Sequence, residues 1–125
     1  MVAMNIPTIL VFGIPNCDTV KKARTWLSSH ALDYQFHDFK KEGVPADLLP
    51  LWAQSVGWER LLNRKGTTWR NLGAATQASV TDTPSAIAVM AAHASVIKRP
   101  VVQWSANNAD ITVGFDAATW TARLR

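Results

Sequence analysis

At 125 residues with 48% apolar side chains, the chain is long enough to bury a core and too apolar to be a disordered polyelectrolyte. Its one cysteine, Cys17, excludes an internal disulfide, a Cys-X-X-Cys redox pair and a multi-thiolate zinc site. The net charge of +4 is dispersed with no long basic run, which favours anionic ligands or an acidic partner surface over direct nucleic-acid binding. No apolar stretch approaches the ~20 residues of a membrane span, and the start lacks a charged-then-apolar leader pattern. The expectation is a soluble, cytoplasmic protein forming one domain over 1–125.

In chain order, residues 1–7 read as an untied start. Thr8-Ile9-Leu10-Val11-Phe12, ending at Gly13, is a nearly continuous apolar run, the pattern of a fully buried strand over 8–13. After a Pro-Asn break, Val20, Ala23, Trp26 and Leu27 recur at helical spacing, which predicts a helix over 17–29 with Asn16 as its N-cap. Leu32, Tyr34 and Phe36 then alternate with Asp33, Gln35 and His37, the pattern of a second strand. Strand, helix and strand at this spacing form a βαβ unit with parallel strands and a right-handed crossover.

Lys40 to Pro45 reads as a loop. The next helix carries Leu48, Leu49, Trp52 and Val56. With Asp47 as N-cap, Pro50 is the third helical residue, where its missing N–H costs nothing, and Gly57 stops the helix. Residues 58–73 are less regular. Thr83 as N-cap with Pro84 at the first position starts another helix containing Ile87, Val89 and Met90. Residues 96–104 read as a loop entering a strand, with Pro100 at its start or on an edge. Asn107-Asn108 signals a turn, and Ile111-Thr112-Val113 the returning strand of a hairpin. Asp116 caps a last helix bearing Trp120 and Leu124. The order predicts an α/β protein with a mixed four-stranded sheet and a helical insertion over about 45–95 between βαβ and ββα halves, in the manner of a thioredoxin fold. Trp26, Trp52 and Trp120 occupy core-like positions.

This order puts Cys17 in the first turn of a helix that follows a central strand. Unpaired N–H groups and the positive end of the helix dipole favour a thiolate there, and the thiolate is the nucleophile. The position also suits a small apolar cysteine packed beneath the loop, and Asp18 is an adjacent negative charge that opposes the thiolate. His30, His37 and His93 have no metal-ligand spacing, so no metal site is expected.

Three stretches carry a family resemblance: Gly13 to Ala23, Leu61 to Trp69, and Ile97 to Val101 with Val113 to Asp116. In this order they resemble the arsenate reductase-like family, and within it the lone-cysteine branch beside the Spx-type regulators. The resemblance implies a thioredoxin-like fold and a thiol oxidoreductase in which Cys17 is the nucleophile. It implies that Arg64 and Arg99 bind the anion and stabilise the thiolate, that Pro100 follows a cis peptide bond, and that Asn16 is structural at the site. It also implies glutathione as co-substrate, glutaredoxin as reducing partner and no tightly bound cofactor. The third arginine of the reductases has no counterpart in Thr112-Val113-Gly114-Phe115-Asp116, and Asp18 repels an approaching anion. Val20 stands where Spx-type regulators carry a second cysteine; a regulator that binds the RNA polymerase α subunit is the alternative function. Taken by themselves, Arg64 and Arg99 also suit ordinary surface positions, and Lys65, Lys98, Lys21, Lys22 and Arg24 read as solvated side chains.

Overall fold

The computed structural model describes residues 9–105 and 110–124. These contain β1 (Ile9–Gly13), α1 (Asp18–Ser29), β2 (Tyr34–Asp38), α2 (Phe39–Glu42), α3 (Leu49–Val56), α4 (Trp58–Leu61), α5 (Thr67–Asn71), α6 (Ala74–Ser79), α7 (Thr83–Ala92), a 3-10 turn (Ala94–Val96), β3 (Val101–Gln103), β4 (Ile111–Val113) and α8 (Ala117–Ala122). The sheet order is β2-β1-β3-β4, with β1 parallel to β2 and both later pairs antiparallel. This is the mixed four-stranded sheet that the strand order predicts.

Alternation along the strands explains why the sheet is covered on both sides. Val11 and its partner Val102 face α1 and α8, packing with Ala23, Trp26, Leu27 and Trp120. Phe12 and its partner Val101 face the opposite way, onto Leu49, Trp52, Met90 and Ile97. A strand buried on both faces has no polar side, so β1 reads as an unbroken apolar run. Aromatic edges lock each layer: Trp120 meets Trp26 at 5.3 Å and Phe115 at 4.7 Å, and Phe12 meets Trp52 at 4.8 Å, between ring centroids. Among the described residues no helix is long and apolar enough to cross a membrane.

Several helix starts differ from expectation, and side-chain chemistry explains them. Helix α1 begins at Asp18, and its N-cap residue is Cys17 in extended conformation; Asn16 stays outside as an exposed loop residue. Residues 39–42, expected as loop, form one helical turn because the Asp38 carboxylate accepts the Lys40 and Lys41 N–H groups. Helix α3 starts one residue late, with Leu48 rather than Asp47 as its cap, since the Pro45 carbonyl already accepts from Leu48 and Leu49. Pro50 therefore sits at the second helical position, where it still forfeits no hydrogen bond. Asp82, not Thr83, caps α7: its carboxylate takes the Ser85 N–H at 3.0 Å while Ser85 Oγ takes the Asp82 N–H at 3.1 Å. Thr83 has only Ala86 three residues on, so it cannot form that reciprocal box.

The irregular region 58–73 holds the short helices α4 and α5. Asp116 does cap α8, through the Ala118 N–H, but the helix ends at Ala122 and Leu124 lies beyond it, exposed. The Asn107-Asn108 turn signal and the untied start lie outside the described residues.

Candidate active site

The site begins where β1 runs out. A Cβ added to Gly13 would stand 2.9 Å from Val20 Cγ2, so only glycine lets the first turn of α1 approach the strand end this closely. Ile14 is buried and anchors the loop, while Pro15 and Asn16 are exposed. Cys17 follows, half-buried, with its carbonyl accepting the Lys21 N–H at 2.9 Å.

Burial pushes the Cys17 thiol up, but the groups around it outweigh that. The Val20 N–H, the Arg99 guanidinium as donor and as charge, and the Thr19 N–H together hold it below its ordinary value. The side chain makes no capping hydrogen bond by strict geometry, yet these N–H groups face the sulfur closely enough to favour its charged form.

Arg99 comes from the loop before β3. Its Nη1 donates to the Ser95 carbonyl at 2.8 Å and more weakly to the Ile97 carbonyl at 3.4 Å. Its Nε is buried with no hydrogen-bond partner. A buried donor left unpaired costs roughly 1–3 kcal/mol. The Arg99–Pro100 peptide bond is cis, and buried Pro100 stands directly before β3.

A short antiparallel bridge completes the wall. Leu62 pairs with Ile97, Asn63 N–H donates to the Val96 carbonyl and Lys98 N–H to the Leu61 carbonyl, both at 2.7 Å. This stitches residues 61–63 to 96–98 and brings Asn63 and Lys98 to a cavity of about 250 Å³ that also contains Cys17, Thr19 and Arg99. Gly114 and Phe115 close it. Gly114 has φ +80°, and a Cβ there would meet Lys98 Cε at 3.2 Å. The Lys98 side chain thus packs across Gly114.

The structure therefore brings Cys17 and Arg99 together in one cavity, with Pro100 next to Arg99 in the chain but not among the lining residues. It leaves Arg64 exposed, with its guanidinium 5.3 Å from the centre of the Trp58 ring, and Asn16 exposed and outside the cavity. Among the described residues no three His, Cys, Asp or Glu side chains are grouped to hold a metal ion.

The model of the ArsC family matches residues 12–123. The chain belongs to the ArsC family. An uncharacterised protein of Haemophilus influenzae is 40% identical over 94 residues, which is 75% of this chain and 82% of that protein. A solved YffB protein is 42% identical, with a TM-score of 0.87 over 94% of this chain and 100% of its own. An arsenate reductase (ArsC)-related protein from Brucella melitensis is 41% identical over 99% of each chain, with a TM-score of 0.73. The fold of this ArsC-family protein is thioredoxin-like.

Lys98, Asn63, Thr19, Gly114 and Phe115 are the lining residues that sequence reasoning missed as site residues. Lys98 had a usable signal, its place beside Arg99. Asn63 stands beside Arg64 in the same way, but the bridge that recruits it joins segments more than thirty positions apart.

Proposed function

We propose that this ArsC-family protein is a glutathione-linked thiol oxidoreductase that works through Cys17 alone. The observation that carries this reading is the pairing of a lowered thiol at a helix start with a guanidinium already anchored beside it. A mixed disulfide of glutathione suits such a site. The Cys17 thiolate attacks the glutathione sulfur, a new Cys17–glutathione disulfide forms, the old S–S bond breaks, and the departing thiol leaves as thiolate. The thiolate of a second glutathione then attacks the glutathione sulfur of that adduct, releasing oxidised glutathione and regenerating Cys17. An external thiol is required because the chain has no second cysteine.

Glutaredoxin is the protein partner that can carry out the same resolving step. For an oxyanion substrate such as arsenate, Arg99 supplies one guanidinium, and Arg64, next in the chain to lining Asn63, supplies another once the anion is bound.

The test couples oxidised-glutathione production to glutathione reductase, with a mixed disulfide or arsenate as substrate, with and without glutaredoxin. The expected result is turnover in the wild type and none in Cys17→Ser. Full activity in Cys17→Ser, or no covalent adduct on wild-type Cys17, overturns the proposal.

A further inference from the structure

A second cavity, of about 400 Å³, adjoins the one at Cys17, and the two share Lys98, Gly114 and Phe115 in their walls. The second cavity forms a trough next to the one that holds the sulfur. It runs beside β4, whose Ile111, Thr112 and Val113 all line it, toward Val56 at the end of α3 and Arg60 in α4. Since β4 is an edge strand, one row of its backbone groups has no strand partner in the sheet.

Two cations line this trough, Arg60 and Lys98. Neither belongs to the ion pairs of the described residues, which join His37 to Glu42 and Arg123 to Asp110. The carboxylate in the wall, Asp116, is already engaged, taking the Ala118 N–H on one oxygen and the Thr119 hydroxyl on the other. These hydrogen bonds leave Asp116 ionised, so the wall carries two cations against one carboxylate and is net positive, with a peptide edge along it.

Size gives the groove a use. The cavity at Cys17 lies below the ~300–1,000 Å³ typical of small-molecule sites. A peptide thiol with its sulfur at Cys17 must extend out of that cavity, and the shared walls lead it into the trough. We propose that Arg60 and Lys98 form a carboxylate subsite that holds the anionic end of a peptide-type thiol or disulfide while its sulfur reacts at Cys17. The subsite rests on the thiol-exchange reading above and adds selection: carboxylate-bearing peptide thiols are preferred over neutral small ones.

The reaction that tests it is single thiol–disulfide exchange on the whole protein. The Cys17 thiolate attacks one sulfur of oxidised glutathione, the Cys17–glutathione disulfide forms, the original S–S bond breaks, and glutathione thiolate leaves with the electron pair. The rate of adduct formation, followed by mass, is compared with that for the neutral bis(2-hydroxyethyl) disulfide. The ratio of the two rates is the readout. Arg60→Gln should lower this ratio about fivefold, the size expected for one partly exposed charge contact. Arg60→Glu should lower it further, Arg60→Lys should restore most of it, and high salt should erode it in the wild type. Reaction with both disulfides at a ratio unmoved by Arg60 and by salt overturns the subsite and leaves the thiol reading standing. No reaction of Cys17 with either disulfide overturns the thiol reading and the subsite with it.

Discussion

Arg99 acts on Cys17 with a side chain that its own loop already holds: Nη1 donates to the Ser95 carbonyl at 2.8 Å. A guanidinium fixed in this way loses little freedom when it meets a thiolate or an anion, so its effect on Cys17 is pre-organised rather than recruited.

The first prediction concerns proton affinity. The pH profile of Cys17 alkylation should have its midpoint below that of the same thiol in the unfolded chain. Arg99→Ala removes a donor and a charge and should move that midpoint upward. Arg64→Ala should move it much less, because Arg64 rests over Trp58. Equal shifts from the two variants would contradict the geometry.

The same shift has a consequence for stability, with a definite sign. The folded-state pKa of Cys17 lies below its unfolded value, so the folded protein binds fewer protons in the window between them. The stabilisation is fully present above the unfolded value and is lost as pH falls through the folded one. The wild type should therefore gain stability over Cys17→Ser as pH rises through that window, as read from urea midpoints. A difference that is flat with pH would refute it.

Gly13→Ala tests how tightly α1 is set against β1. The new methyl would lie 2.9 Å from Val20 Cγ2, so the first turn of α1 must shift. Overpacking of this kind costs about 1–3 kcal/mol. The urea midpoint should fall, and Cys17 should alkylate more slowly at neutral pH because the Val20 N–H no longer faces the sulfur. A stability loss without a change in reactivity would separate packing from activation.

Asp82→Ala should destabilise the protein more than Thr83→Ala, since Asp82 and Ser85 hold each other's N–H groups. The Ser85 hydroxyl and N–H also hold the Asp82 carboxyl below its usual range. Its stabilising contribution is present above the unfolded carboxylate pKa and lost as pH falls through the folded one. Urea midpoints of the two variants at neutral and acid pH check both statements.

Much of the site was legible before any coordinates. A strand apolar at every position, a glycine, a break and a helix of period 3.6 are local patterns, and they locate Cys17 without knowledge of the rest. Pro100 was legible through its family-like stretch. The caps were less so: Cys17 rather than Asn16, and Asp82 rather than Thr83. At α7 the cap depends on which side chain finds a reciprocal N–H, and neighbouring Thr and Asp compete for that role; at α1 the capping position carries no side-chain hydrogen bond at all.

By itself, then, the amino-acid sequence determined the βαβ and ββα halves, the both-faces-buried first strand and the place of the lone cysteine, because each is written in residues close along the chain. Only the tertiary structure decided which cations surround that cysteine. The bridge between Leu62 and Ile97 carries Asn63 and Lys98 to the cavity, and the cation–ring contact with Trp58 leaves Arg64 exposed. These are contacts between distant segments, set by how the layers pack. Charge and spacing in the sequence cannot distinguish an arginine anchored beside a thiol from one resting on an indole.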